Sequence, residues 1–388
     1  MIKAVFLSHT AAPSGAELAT MRLLTALRDS PLGAVDPVMV CTEPGPMVTA
    51  LRARGIPVTV YANDFDNRSM TITGSSPLRL LTGGFSLARI GWRLGALVRD
   101  EHADVVVAAS VKALLMGALA ARRAGVPLVW QVHDRVSAEY FGRLLAPLVR
   151  LLAVLCCAGL IANSRATERS LPTRRVPTVV AYPGIEFDAD HERSPQRPPA
   201  DTVVAIVGRL TPWKGQDVAL RALAATTIRP RRVLVVGGTF FGEQDFRAEL
   251  EALAAETGLP VAFTGHVDDP AALMREADIL VHCSVLAEPF GQVVVEGMRA
   301  GCAVVAADAG GPAEIVESEV DGLLVAPRHD DLVRALDRLI GDRGLRIRLG
   351  ERARVHARRF DITDSAAVVA GFLTTTVHGA GRAKAVRT

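Results

Sequence analysis

Val203-Val204-Ala205-Ile206-Val207-Gly208-Arg209-Leu210-Thr211-Pro212-Trp213-Lys214-Gly215 decides the fold of this 388-residue chain. Its first five residues are an unbroken apolar run, as in a parallel strand buried on both faces. A glycine ends the run, a polar loop follows, and helical spacing then begins. The same unit repeats towards the C-terminus, with runs at Arg232–Val236, Val261–Thr264, Ile279–His282, Ala303–Ala306 and Gly322–Val325. It repeats towards the N-terminus too, at Ala4–Leu7, Val38–Cys41, Val58–Val60, Val105–Ala108, Leu128–Gln131 and Leu160–Ala162. Strands alternating with helical patterns predict α/β domains. The alternation pauses at Pro183-Gly184 and at His191–Ala200, a polar stretch with three prolines. The expected architecture is two Rossmann-like, doubly wound parallel-sheet domains facing a central cleft. They span 1–187 and 188–372, are joined near 185–200, and are followed by a flexible tail over 377–388.

Composition narrows the function classes. Hydrophobic residues make up 49% and charged residues 22%, which excludes a disordered chain. Five cysteines without a C-x-x-C pair exclude a zinc knuckle and fit a reducing compartment. The N-terminus lacks a signal-peptide pattern and reads as a first strand, so a cytoplasmic location is expected. A net charge of +3 argues against a nucleic-acid partner. Residues 1–190 carry 20 Lys/Arg against 15 Asp/Glu, and the rest 24 against 26. The basic half fits an anionic partner, a phosphate or an acidic lipid surface, or an arginine-rich coding bias. The apolar run Leu144–Ile161, broken by Pro147 and Arg150, predicts a buried helix followed by a strand. Peripheral contact with a membrane is the alternative.

Three motifs carry chemistry. Ser14-Gly15-Ala16-Glu17 opens the first helix as a capping box, and a helix start after a first strand is an anion site. Capping alone accounts for Ser14 and Glu17 but not for Gly15, which lets a ligand approach the backbone. Arg209 and Lys214 leave one loop at the end of a strand, a bidentate and a compact cation suited to a diphosphate and able to stabilise it as a leaving group. Glu288-Pro289-Phe290-Gly291-Gln292-Val293-Val294-Val295-Glu296-Gly297 places one carboxylate on a loop and a second about one turn into a helix starting near Gln292. The pair suits the hydroxyls of a polyol joined to a diphosphate. The amides of Gly291 to Val294 make an anion-binding helix start. His133 follows an apolar strand and precedes Asp134. It is either a structural histidine pinned by a carboxylate or a site residue.

This ordered set, with Thr264-Gly265 and Ala309-Gly310-Gly311, resembles the retaining glycosyltransferases of family GT4 with the GT-B fold. The resemblance covers nearly the whole chain. It implies transfer of a sugar from a nucleotide-diphosphate sugar, UDP first and GDP-mannose second, to an acceptor hydroxyl. It implies that Arg209 and Lys214 hold the diphosphate, that Glu296 binds the ribose, and that Glu288 binds the transferred sugar. Phe290, Gly291 and Gln292 would offer backbone contacts to that sugar, with the Val293 and Val294 amides on the phosphates. Gly265, His266 and Val267 would lie along the base, Gly15 at the diphosphate, and His133 towards the reacting sugar. Same-face attack, assisted by the leaving phosphate oxygen, needs electrostatic positioning more than a side-chain base. No cofactor and no metal are expected. Asp64-Phe65-Asp66 and Asp188-Ala189-Asp190 are the D-x-D strings a metal-dependent transferase would use. The resemblance also implies domain closure about the linker and a segment near 361–376 that crosses back to the first domain.

Two features depart from the family pattern. Tyr182-Pro183-Gly184 stands where the family often has Asn-Gly, and Ser14 replaces one glycine of the N-terminal loop. The acceptor, expected on the N-terminal domain at loops Asn63–Pro77 and Arg135–Arg143, could be lipid-linked, with the protein at the inner membrane face. A nucleotide-sugar 2-epimerase and a non-catalytic GT-B scaffold are the competing readings. No P-loop, zincin or nucleophile-elbow motif is present.

Overall fold

The computed structural model describes residues 1–12, 14–61, 77–187, 196–239, 243–267 and 269–385. Both D-x-D strings, most of the Asn63–Pro77 loop and linker residues 188–195 lie outside the described residues. The chain divides into two compact units, Met1–Glu186 with Asp361–Thr388, and Phe187–Phe360.

The first unit runs β1 (Ile2–Ser8), α1 (Gly15–Asp29), β2 (Val35–Cys41), α2 (Pro46–Ala53), β3 (Val58–Val60), α3 (Pro77–Asp100), β4 (Val105–Ala108), α4 (Val111–Ala124), β5 (Leu128–Val132), α5 (Ala138–Cys156), β6 (Gly159–Ala162), α6 (Arg165–Glu168) and β7 (Thr178–Val180). All strand pairs are parallel, in the order β3-β2-β1-β4-β5-β6-β7. Sheet residues alternate between two cores. Val5, Val106, Trp130 and Leu160 meet α3, α4 and α5 on one face. Phe6, Val107, Val129 and Ile161 meet α1, α2 and the C-terminal helix on the other. The apolar runs are continuous because both faces are covered. Strand β7 has no counterpart in the sequence reading. Three residues between Pro177 and Pro183 are too short a run to register, and pairing with β6 makes them a strand.

The second unit runs β8 (Val203–Val207), α7 (Gln216–Ala224), β9 (Arg232–Val236), α8 (Gln244–Thr257), β10 (Val261–Gly265), α9 (Pro270–Glu276), β11 (Ile279–Val281), α10 (Gln292–Arg299), β12 (Ala303–Ala307), α11 (Pro312–Ile315), β13 (Leu323–Val325), α12 (His329–Gly341) and α13 (Arg343–His356). The parallel order is β10-β9-β8-β11-β12-β13. Arg346 is fully buried, and its guanidinium donates to the carbonyls of Leu339 and Ile340 at the end of α12, to Arg197 O and to Gln196 Oε1. A buried arginine is tolerated here because its donors meet acceptors.

Two expectations need correction. Helix α5 is not buried all round. Phe141, Ala146, Val149 and Ala153 face the core, while Leu144, Leu148, Leu151 and Leu155 are exposed. The last helix, α14 (Ile362–Ala385), continues through most of the stretch expected to be a flexible tail. Its Ile362, Val369 and Leu373 enter the first unit's core beside Phe6 and Val107, so residues 361–372 pack with that unit. The Ile362 amide donates to Ile185 O at 3.1 Å and Ser365 Oγ to Tyr182 O at 2.5 Å, which anchors the start of the helix.

Candidate active site

In the second unit the strand order reverses between β8 and β11, the position where open α/β sheets bind ligands beyond their carboxyl ends. The loop after β8 carries Arg209 and Lys214, and the loop after β11 carries Glu288. Because the two strands are parallel neighbours, their loops meet. Buried Leu210 and the bond from its amide to Gly238 O, 3.0 Å, hold the first loop. Arg209 lies 3.6 Å from Glu243. Lys214 ends a single 3₁₀ turn, with its ammonium 4.6 Å from the centre of the Trp213 ring and paired with Glu288. The loops touch through backbone. Trp213 O accepts from the Val285 amide at 2.9 Å, and Gly215 (φ 69°) lies so close to Cys283 O that a Cβ would sit 2.3 Å from it.

Glu288 is only 5% exposed and sits in a network of donors. Its Oε1 accepts from Ser284 Oγ at 2.7 Å and from Lys214, and lies 3.2 Å from His282 Nε2. The Ala307 amide donates to His282 Nδ1 at 3.4 Å, which leaves Nε2 to carry the proton towards Glu288. Burial alone would push the Glu288 carboxyl up. The charge of Lys214, together with the hydrogen bond from His282, outweighs it and holds the group well below the usual carboxylate range. His282 and Ser284 were not identified as site residues from the sequence. The available signal was a polar pair closing an apolar strand.

Helix α10 begins at Gln292 after Gly291 (φ 107°), as expected, and Glu296 is half-buried one turn in. The Val294 amide, expected to face phosphates, instead donates to Gly291 O at 3.0 Å, the tight first turn of the helix. Phe290 is buried, edge-on to Phe360 at 5.7 Å. Gly310 and Gly311 explain the Ala-Gly-Gly string. The Gly311 amide donates to Glu288 O at 2.9 Å, and a Cβ there would stand 2.2 Å from Phe290 O. Gly265 (φ 70°) closes β10, with His266 and Val267 just beyond.

In the first unit, chemistry also gathers at the carboxyl edge of the sheet. Ser14 caps α1 differently from a capping box: its hydroxyl donates to Glu17 and accepts no backbone amide. Gly15 is the first residue of the helix. Burial raises the Glu17 carboxyl, against the Ser14 bond, and the charge of Asp134 adds to the rise. His133 Nε2 lies 3.3 Å from Thr20 Oγ1, and Asn163 Nδ2 donates to His133 O at 2.9 Å. Burial lowers the His133 imidazole to about 4, so it is neutral at pH 7. Gln131, His133, Asn163, Tyr182 and Ser365 line a small cavity, and the buried Gln131 Oε1 and Asn163 Oδ1 have no hydrogen-bond partner among the described residues. The reversal point here lies between β1 and β4. It holds His9, whose Nδ1 is 2.8 Å from Ser110 Oγ and whose pKa is lowered to about 4 by burial and by Lys112. Sequence reasoning passed over His9 and Ser110, because only the strand order brings their loops together. Among the described residues no group of three His, Cys, Asp or Glu is placed to hold a metal.

Residues 188–356 match the family Glycosyl transferases group 1, and residues 47–189 match Glycosyltransferase Family 4. The two matches adjoin and together span residues 47–356, so the chain carries domains of the Glycosyltransferase Family 4 and group 1 kinds on a GT-B fold. It is 35% identical over 287 residues to the D-inositol 3-phosphate glycosyltransferase of Salinispora arenicola, a match covering 63% of this chain and 62% of the relative. The same-named protein of Streptomyces bingchenggensis is 31% identical over 303 residues, 70% of this chain and 66% of its own. The chain thus spans about two thirds or less of these relatives' length. The structure of Anabaena HepE in complex with UDP and glucose superposes with a TM-score of 0.81 at 29% identity, over 97% of this chain and all of that one. Sucrose-phosphate synthase of Thermosynechococcus elongatus, at 19% identity and a TM-score of 0.76, shares the fold.

Proposed function

We propose that this chain is a retaining, metal-independent glycosyltransferase that moves a sugar from a UDP-sugar to an acceptor hydroxyl. The observation that carries the reading is the meeting of Arg209, Lys214 and Glu288 at the β8/β11 reversal point. The likeness to HepE, solved with UDP and with UDP-glucose, supports uridine as the base.

The roles follow from charge and placement. Arg209 and Lys214 neutralise the diphosphate, with the start of α10 adding its dipole. When the diphosphate arrives, Lys214 turns from Glu288 to it, and Glu288 is released to accept sugar hydroxyls. Glu296 takes the ribose hydroxyls, Gly265, His266 and Val267 flank the base, and Phe290, Gly291, Gln292 and Val293 give backbone contacts. In the reaction the bond from the anomeric carbon to the phosphate oxygen breaks. The acceptor oxygen bonds to the same face of that carbon, and the acceptor proton passes to the leaving phosphate. Stabilising that phosphate is therefore the protein's main task. Neutral His133 and Gly15 serve from the first unit, whose carboxyl edge takes the acceptor. We assign the acceptor to the lipid-linked class, from the basic N-terminal half of the chain.

A proton NMR time course with UDP-glucose tests the reading. Slow release of glucose first as the α-anomer is expected, and Lys214→Ala should slow it by about 10²–10³-fold with the fold intact. Conversion to an epimeric nucleotide sugar would replace the reading with an isomerase. Near-full activity of Lys214→Ala would overturn the phosphate assignment.

A further inference from the structure

Helices α3, α4 and α5 cover one face of the first unit's sheet and share one core. Their outward side is unusual in two independent respects. First, it is apolar where water should be. On α5, Leu144 (90% exposed), Leu148, Leu151 and Leu155 recur at helical spacing along one line about 16 Å long. On α3, Phe85 (75% exposed) and Trp92 do the same. Scattered exposed apolar side chains are ordinary, but an aligned row is not. Second, the layer is basic. The three helices carry nine Lys/Arg and two Asp/Glu. The helices on the opposite face, α1, α2 and α14, carry five and three. Arg89, Arg93, Arg122 and Arg143 are all exposed on the basic layer.

We propose that this helical layer docks on an anionic lipid bilayer, with the α5 leucine row seated among the acyl chains and the arginines among the headgroups. An amphipathic helix with leucines on one line and basic residues beside it has the chemistry of an interfacial segment. Among the described residues no helix is long and apolar enough to cross a membrane, so the contact is peripheral. A second copy of this chain is the poorer occupant, because it would bring an equally basic face against this one. Gly142 (φ 75°) kinks α5 near its start, and Pro147 inside the helix has no amide to donate. The proposal rests on the lipid-linked acceptor reading for its purpose, since docking would bring the carboxyl edge of the sheet to a substrate held in the membrane.

The test is co-sedimentation of the full chain with phosphatidylglycerol-containing vesicles and with pure phosphatidylcholine vesicles, at low and high salt. The wild type is expected to pellet with the anionic vesicles only, and less at high salt. Leu148→Glu/Leu151→Glu should weaken the partitioning at least about tenfold. Arg89→Glu/Arg93→Glu should remove most of its salt dependence. These positions are exposed, so both variants should keep wild-type UDP binding. Failure of the wild type to bind anionic vesicles at low salt would overturn the proposal, as would wild-type binding by the leucine variant. A dimer in sedimentation velocity that Leu148→Glu/Leu151→Glu makes monomeric would assign the face to a second copy instead. Loss of UDP-glucose turnover by the wild type, with vesicle binding intact, would strike the transferase reading and leave docking standing.

Discussion

Glu288 shows how one side chain acquires its chemistry from neighbours distant in sequence. A carboxyl so deeply buried should hold its proton, yet Lys214 and His282 keep it ionised. The sign of the resulting pH dependence is fixed. A carboxyl whose folded pKa is depressed contributes stability that is fully present above its unfolded value, about 4.3, and is lost as pH falls through the folded value. Wild-type stability from this group should therefore hold from neutral pH to about pH 5 and decline below. Glu288→Gln should show a shallower decline over the acid range. Urea midpoints of both forms at pH 7, 5, 4 and 3, which parallel losses would contradict, make the comparison. His133 illustrates the reverse case, a cationic group kept neutral by burial, and so suited to hydrogen bonding and not to charge.

At the scale of elements, two loops and a helix start depend on glycine backbone more than on side chains. Gly311 has an ordinary helical φ of −64°, so its requirement is purely one of space against Phe290. Gly311→Ala must push the Glu288–Phe290 loop aside. It should cost about 1–3 kcal/mol of stability and weaken UDP-sugar turnover. Gly341, near the end of α12, has nothing within contact range of an added Cβ, and Gly341→Ala should be neutral or slightly stabilising. Urea denaturation of the two variants separates crowding from helix propensity. An equal response in both would mean that the close approach at Gly311 is not maintained in solution.

At the scale of the molecule, the two units have separate cores, and nucleotide chemistry is assigned to one of them. Ligand binding stabilises what it binds, by about 2.7 kcal/mol at a hundredfold excess over Kd. UDP should therefore slow amide exchange most within Phe187–Phe360, around Gly208–Gly215 and Glu288–Arg299. Hydrogen-exchange mass spectrometry with and without UDP reads this directly. Protection confined to the first unit would contradict the donor assignment.

The linear order of apolar runs was enough to determine the class of fold, the strands from Val5 to Val325 and the loops bearing Arg209, Lys214, Glu288 and Glu296. Continuous runs between helical patterns admit few arrangements other than covered parallel sheets. Strand neighbourhood was not available to it. That β11 lies against β8, and β4 against β1, is set by long-range pairing, and only this brings Lys214 to Glu288 and His9 to Ser110. The three residues of β7, the engaged amide of Val294 and the buried donors His282 and Ser284 likewise emerged only in three dimensions. The leucine row of α5 marks the same boundary. Its hydrophobicity was legible in the chain, but which side of the helix the core would cover was decided by tertiary packing. Hydrophobicity is a property of each residue, whereas burial depends on what folds against it.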